Sequence, residues 1–387
     1  MDLSFSSDEQ AFAAEIRAWL AENLEPTPEF DSLADEIAWG RAWQGRLAAA
    51  RWIAIQWPVD VGGRGASPVQ VAIYNMEYAR SAAPQPVNRV GINLAGPTLL
   101  AHGTDEQRRR WLPRILTAEE IWCQLFSEPD AGSDLAGLTT RAERVDGGWL
   151  LTGQKVWTSY AQSARFGICL ARTDPDAPKH RGISYLVVDM DADGIEIRPL
   201  RQITGEAEFN EVFLDEVFVP EGNLVGDLHR GWAVANTTLA HERGTSFPFK
   251  EQVVHEVFLD EAYALAVGAE LLDDPEYADA LAQSFVDIRV LRLHNWRTLS
   301  RLARGEEPGP ESSWVKLTWS DMTQRFSATA VRLCAAAAPL AAGATGLADG
   351  GRWQRQWLWS GAASIAGGTS EVQRTIIGER ILGLPRD

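Results

Sequence analysis

Two runs decide how this chain reads: Q-L-F-S-E-P-D-A-G-S-D-L at 124–135 and G-Q-K-V-W-T-S at 153–159. The first sets two small hydroxyls, Ser127 and Ser133, around a tight Ala131-Gly132 bend. Backbone N–H groups in such a bend, with hydroxyls beside them, can hold an anion such as a pyrophosphate. The second places the Trp157 indole and the Thr158 and Ser159 hydroxyls at a strand end, suited to a flat heteroaromatic ring. Taken singly, an S-x-P-x-x-G run is most often a turn and a strand Trp most often core. The pair in this order says more than either piece.

The flanking texture changes on both sides. Residues 1–120 carry apolar residues at helical spacing, such as Trp43 with Leu47, and Val71, Tyr74 and Tyr78. Breaks fall at Pro26-Thr27-Pro28, at Trp57-Pro58 with Gly62-Gly63, and at 83–86, and the Trp111-Leu112-Pro113 step is expected to close a helix. Residues 121–227 alternate in short runs. Gly147-Gly148 separates 141–145 from 149–152 as a hairpin, and 166–171, 183–189, 195–199 and 211–219 are further strands. From 228 to 387 the helical period returns, with helices expected at 231–243, 250–270, 276–304, 311–338, 351–363 and 370–381. An α+β architecture follows: an N-terminal helical domain (1–120), a central β domain (121–227) and a C-terminal helical domain (228–387).

At 387 residues the chain can bury a large core, and its 45% hydrophobic and 23% charged residues are those of a globular protein. The net charge of −17 argues against a nucleic-acid partner, which needs a basic face. Three Cys (Cys123, Cys169, Cys334) without C-x-x-C spacing, and six His without ligand spacing, suggest neither disulfides nor a metal and fit the cytoplasm. Ser6 and Ser7 ahead of Asp8-Glu9, then Phe12, Ile16, Trp19 and Leu20, make the N-terminus a capped amphipathic helix rather than a signal. No apolar run is long enough to span a membrane. Sixteen Trp is high, and the Trp353, Trp357, Trp359 cluster suits a helix in a core or a subunit interface.

Glu242 is the most informative ionisable residue. In G-W-A-V-A-N-T-T-L-A-H-E-R-G (231–244), Trp232, Ala235, Leu239 and Glu242 share one apolar stripe. A carboxylate there is costly unless paired or functional, and burial makes it a better proton acceptor. An ion pair with Arg243 or Arg230 is the alternative. The segment I-A-G-G-T-S-E-V-Q-R (365–374) is a Gly-rich turn into a helix, with Thr369 or Ser370 as N-cap and Glu371 in the first turn. It reads either as a capped helix or as an anion-binding N-terminus. There is no G-x-G-x-x-G after a strand, no P-loop and no G-x-S-x-G elbow.

Together these runs resemble the acyl-CoA dehydrogenase family over nearly the whole chain. The likeness is carried by W-P-V-D-V-G-G-R-G (57–65), G-P-T-L-L-A-H-G-T-D-E-Q (96–107), W-C-Q-L-F-S-E-P-D-A-G-S-D (122–134), G-Q-K-V-W-T-S (153–159), K-H-R-G-I-S (179–184), F-N-E-V-F-L-D-E-V-F-V-P (209–220), L-A-H-E-R-G (239–244) and G-G-T-S-E-V-Q-R (367–374). The resemblance implies FAD, with Gln124, Phe126 and Ser127 lining the isoalloxazine ring. It sets Ser133 at the pyrophosphate or the pantetheine arm, Trp157 and Ser159 at the flavin's far face and N5 region, and Thr369 and Glu371 at the FAD phosphates. Leu239, Arg243, Ala366 and Gly367, with Ser133, match positions at the acyl-CoA substrate.

The base is where this chain departs from many relatives. Medium-chain members carry it just before the G-T-S turn, where this sequence has Gly367 preceded by Ala366. A branch resembling isovaleryl-CoA dehydrogenase carries it on the helix, at the position of Glu242. The resemblance therefore implies α-proton abstraction by Glu242, with the thioester carbonyl polarised by hydrogen bonds, and β-hydride transfer to flavin N5 to give a trans-2-enoyl-CoA. It further implies an electron-transfer flavoprotein as acceptor and a homotetramer or homodimer, with a heterotetramer as the alternative. A Q-x-x-G-G-x-G segment that in relatives reaches a neighbouring subunit's FAD is missing from the Gly-rich stretch 337–351. Two other activities fit the resemblance: a flavin-dependent monooxygenase, which usually lacks a base, and an FAD-poor structural subunit of a heterotetramer.

Overall fold

The computed structural model describes residues 4–242, 246–306, 309–340, 344 and 347–385. In chain order, α1 (Ser7–Asn23), α2 (Leu33–Ala49), α3 (Pro68–Arg80), α4 (Gly96–His102) and α5 (Asp105–Thr117) come first. Seven strands follow: β1 (Trp122–Leu125), β2 (Arg141–Val145), β3 (Gly148–Ser159), β4 (Phe166–Arg172), β5 (Ile183–Asp189), β6 (Ile195–Leu200) and β7 (Phe209–Pro220). The chain closes with α6 (Gly231–Glu242), α7 (Ser246–Gly268), α8 (Pro275–Ala303), α9 (Ser312–Leu333), α10 (Arg352–Ser360) and α11 (Ser370–Ile376). Helices, sheet, helices is the order read from the periodicity. In space the chain forms two compact units: α1 and α3 group with α7–α11, while α2, α4, α5 and α6 group with the sheet.

The sheet is built in two parts. β4 pairs β1 in parallel and β5 in antiparallel fashion, and β2, β3, β7 and β6 form an antiparallel run; a single pairing, Arg141 with Arg172, joins the parts. Inward residues of both parts, among them Leu125, Trp149, Leu151, Cys169, Leu186, Val188, Val212 and Val217, bury one common core. That shared core is why the sheet curls on itself. Two expectations needed revision. β1 was hidden in the 122–134 motif, and β3 continues seven residues past Thr152 to Ser159, because its pairing with β7 resumes after two register shifts.

The helices around the sheet are tied by buried polar groups. Asn88 donates through Nδ2 to the carbonyls of Ile115 and Glu120 and accepts from the N–H of Gly91 and Trp122. Gln44 accepts from the Asn88 N–H and donates to the Ile115 and Leu116 carbonyls. Most of these bonds satisfy backbone at the end of α5 or the start of β1, where no ladder reaches, and the other two satisfy the N–H groups of Asn88 and Gly91. Pro113, expected to end a helix, lies inside α5. It removes one helical hydrogen bond, but the burial of Trp111, Leu112, Ile115 and Leu116 carries the helix on to Thr117.

In the other unit, α1 begins at the expected cap: Ser6 accepts from the Glu9 N–H and Glu9 accepts from the Ser6 N–H. Arg17 on α1 clasps Glu77 on α3 through Nε and Nη2 at 2.9 and 3.0 Å. Between α7 and α9 lies a buried His255. Its Nδ1 faces the Glu251 carbonyl at 2.7 Å, which can only accept, so Nε2 takes the Thr323 hydroxyl proton at 3.0 Å. Burial pulls the His255 pKa down, keeping the ring neutral. α9 stops at Leu333, earlier than expected, and Ala335 then turns left-handed at φ 48°. The Trp cluster is mixed: Trp353 is core, while Trp357 is half exposed.

Trp57 shows how tightly the sheet-bearing unit is packed. A Cβ on Gly96 would lie 2.0 Å from the Trp57 ring, whereas one on Gly45 would meet nothing within 4 Å. Gly96→Ala is therefore expected to destabilise the protein by about 1–3 kcal/mol through overpacking. Gly45→Ala, in the interior of α2, should be neutral or stabilising by up to ~1 kcal/mol. Urea unfolding of the two variants checks the pair, and equal midpoints would refute the packing account.

Candidate active site

The two diagnostic runs meet through a buried ion pair that sequence reasoning did not single out. Lys155 on β3 is fully buried, and its Nζ donates to Glu128 Oε1 at 2.9 Å, to the Phe126 carbonyl at 3.2 Å and to the Leu170 carbonyl at 2.8 Å. Glu128 is itself buried and accepts from the Thr140 N–H, and from the Thr139 N–H and hydroxyl at 2.6 and 2.8 Å. All three ammonium protons and both carboxylate oxygens are used, which makes a buried pair tolerable. Burial alone would raise the Glu128 pKa, but the charge of Lys155 and the hydrogen bonds outweigh it and hold the group at about 2. Strand period 2 carried the missed signal: Trp149, Leu151 and Lys155 alternate onto the same buried face.

Just beyond Lys155, the β3–β7 register shifts between Lys155 and Thr158. In this bulge Trp157 has φ 59°, a left-handed conformation rare for a large side chain, and its indole is 61% exposed. It leans edge-on against Phe209, with centroids 6.0 Å apart. An aromatic residue held out by a strained bulge marks a binding surface better than a core position. The indole expected to face a flat ring is thus an exposed one.

Elsewhere in the two runs, Gln124, Ser127 and Ser159 are half-buried, Gly132 and Ser133 are exposed, and the Phe126 ring is buried. None of the side chains of Gln124, Ser127, Ser133 and Ser159 is hydrogen-bonded among the described residues. Phe126 meets Tyr185 of β5 edge-on at 5.9 Å. Tyr185 in turn reaches Thr238 of α6, which bonds Thr98 of α4. The start of the loop after β1 is thereby connected, through β5, to the helix that ends at Glu242. Leu239 is half-buried on that helix; Arg243 lies outside the described residues.

The 365–374 segment belongs to the other unit. Gly367 and Gly368 take φ 65° and 93°, and Thr369 caps α11 by accepting from the Val372 N–H at 3.2 Å. The Thr369 oxygen is engaged in that cap, while Ala366 and Glu371 are exposed. Gln373, which sequence reading passed over, is fully buried and donates to the Gly367 and Gly368 carbonyls, fixing the turn.

Comparison with known proteins places the chain. The N-terminal, middle and C-terminal domain models of acyl-CoA dehydrogenase match residues 6–119, 123–217 and 229–382. The chain belongs to the acyl-CoA dehydrogenase family, whose members are FAD-dependent oxidoreductases. It is 40% identical to acyl-CoA dehydrogenase IpdE1 of Mycobacterium tuberculosis, over 98% of this chain and 99% of that one. Among solved structures it is similar to the Tcur3481-Tcur3483 steroid ACAD, at 29% identity and TM-score 0.88 with both chains fully covered. It is also similar to the ChsE4-ChsE5 complex from Mycobacterium tuberculosis, at 31% identity and TM-score 0.84, again with both chains fully covered.

The residues of the two runs fit FAD: an outward indole for the flat ring, and four uncommitted polar side chains on β1, the loop after it and β3. Among the described residues no helix is long and apolar enough to cross a membrane.

Because the Glu128 pKa is depressed, its contribution to stability is full above about pH 4.5 and is lost as pH falls toward about 2. Glu128→Gln should leave Lys155 buried without its counter-charge, cost roughly 3–5 kcal/mol, and flatten the acid limb of stability over that range. Denaturation midpoints measured from pH 7 to pH 2 test this; an unchanged acid limb would count against it.

Proposed function

We propose that this enzyme oxidises the α,β bond of a bulky acyl-CoA thioester to the trans-2-enoyl-CoA, with Glu242 as the base. The observation that carries the reading is the placement of Glu242 at the end of α6, a helix packed on the strand that meets Phe126. Gly367 offers no carboxylate at the other position the family uses. FAD, when bound, would supply the two-electron oxidant for hydride removal from the β-carbon. Gln124, Phe126, Ser127, Trp157 and Ser159 would hold and face its ring, and Ser133, Thr369 and Glu371 its phosphate portion, with Ser133 also within the substrate's reach. Glu242 takes the α-proton onto its carboxylate, and Leu239, Arg243, Ala366 and Gly367 would border the acyl-CoA.

The similarity to a protein named as a steroid ACAD supports a polycyclic acyl group over a short straight chain. Both solved relatives carry the names of two chains, which supports a heteromeric assembly over a homomeric one. Electrons would leave to an electron-transfer flavoprotein. The relatives' names favour a dehydrogenase over the monooxygenase and the structural subunit.

Anaerobic addition of a steroid-derived acyl-CoA should bleach the yellow protein, whereas straight-chain thioesters should not. Glu242→Gln should retain the flavin and slow bleaching by about 10²–10⁴-fold. Native-rate bleaching by that variant would sink the base assignment, and preference for straight chains would sink the substrate assignment.

A further inference from the structure

Three buried hydroxyls sit between the strand that meets Phe126 and the helix that ends at Glu242. Thr98, Tyr185 and Thr238 are each at most 1% exposed, on α4, β5 and α6. Their proton order follows from the acceptors. Thr98 Oγ1 gives its proton to the Leu94 carbonyl at 2.7 Å, so its oxygen is left to accept from Thr238 at 2.8 Å. The Thr238 proton is used there rather than at the Val234 carbonyl 3.3 Å away, and Thr238 accepts from the Tyr185 hydroxyl at 3.2 Å. The run is Tyr185 to Thr238 to Thr98 to Leu94 O, one direction throughout. Burial raises the Tyr185 pKa, so the phenol stays a donor.

The start of α6 is fixed as well. A Cβ on Gly231 would lie 2.4 Å from the Ser184 carbonyl carbon, so the first helical residue lies flat on β5 with no intervening side chain. His102 Nε2 and the Thr237 Oγ1, 2.8 Å apart, add a contact between α4 and α6. The 12-residue helix is therefore held at its first residue and again at Thr238, four residues before its end. Rotating it would break the hydroxyl run, and lifting it would strand hydroxyls in an apolar interior.

We propose that Thr238 is a positioning residue for the base: the Tyr185–Thr238–Thr98 run sets the rotation and height of α6, and so where Glu242 stands relative to the strand beside Phe126. This rests on the reading of Glu242 as base. Thr238 touches no reacting atom; it acts through the helix. A shift of about 1 Å in a reacting group can lower a rate about 100-fold while leaving ligand binding intact.

The test uses the flavin-loaded protein and three variants. Thr238→Val keeps the shape and removes the hydroxyl, Thr238→Ser restores it, and Tyr185→Phe removes only the far donor. Flavin content and acyl-CoA affinity should be unchanged in all three. The rate of anaerobic flavin reduction should fall about 10- to 100-fold in Thr238→Val, less in Tyr185→Phe, and return to within about threefold of native in Thr238→Ser. Amide hydrogen exchange should accelerate over 235–242 in Thr238→Val and stay native across β3 and β7, a readout that needs no turnover. Native exchange over α6, a native reduction rate, or a loss that Ser does not recover would each overturn the inference. Bleaching by Glu242→Gln at the native rate would overturn the base reading instead, and the exchange result would still decide whether the run holds the helix.

Discussion

A charge pair buried in the sheet organises the surroundings of the candidate site. Moving a carboxylate and an ammonium out of water is unfavourable by several kcal/mol each, so such a pair persists only where the fold saturates both. Here Lys155 binds the carbonyls of Phe126 and Leu170 as well as Glu128, and Glu128 takes the amides of Thr139 and Thr140. Four separate pieces of chain converge: the end of β1, the loop before β2, the middle of β3, and β4. Backbone groups that strand ladders leave open are satisfied by two side chains. The loop holding Ser127 and Ser133 therefore springs from a fixed point.

With that point fixed, the neighbouring strain can be sustained. Trp157 sits two residues past Lys155 in a left-handed conformation, which costs on the order of 1–3 kcal/mol and persists only when its surroundings over-determine it. The resumed pairing of Thr158 with Asn210 and Ser159 with Phe209 holds the far side of the bulge. The result is an indole turned outward from a strand whose next residue, Thr158, is fully buried. On the opposite flank, Phe126 rests on Tyr185, and Tyr185 leads to α6. The loop after β1 and α6 thus belong to one packed unit, not to separate linear domains.

Much of this was legible. Period-2 alternation found six of the seven strands, turn signals found the hairpin at Gly147-Gly148, and the Ser6 and Thr369 caps follow from their residue types. Errors arose where burial overrides local rules. Pro113 suggested an end, but four buried apolar neighbours keep the helix going. The helix expected over 311–338 ends at Leu333, because a left-handed Ala335 breaks it. Alternation could have marked Lys155 as buried, but the partners of Lys155, Tyr185 and Thr238 were not legible because they lie at least fifteen residues away.

The sequence alone determined the family, the cofactor class and the order of helical and strand regions. Ordered short motifs encode local chemistry, and period and turn residues encode local conformation. Tertiary structure alone decided that α6 joins the sheet, that Lys155 and Glu128 neutralise one another in the interior, and that the Trp157 indole points outward. Those outcomes depend on which distant groups share a desolvated space, and desolvation belongs to the packed interior rather than to any stretch of chain.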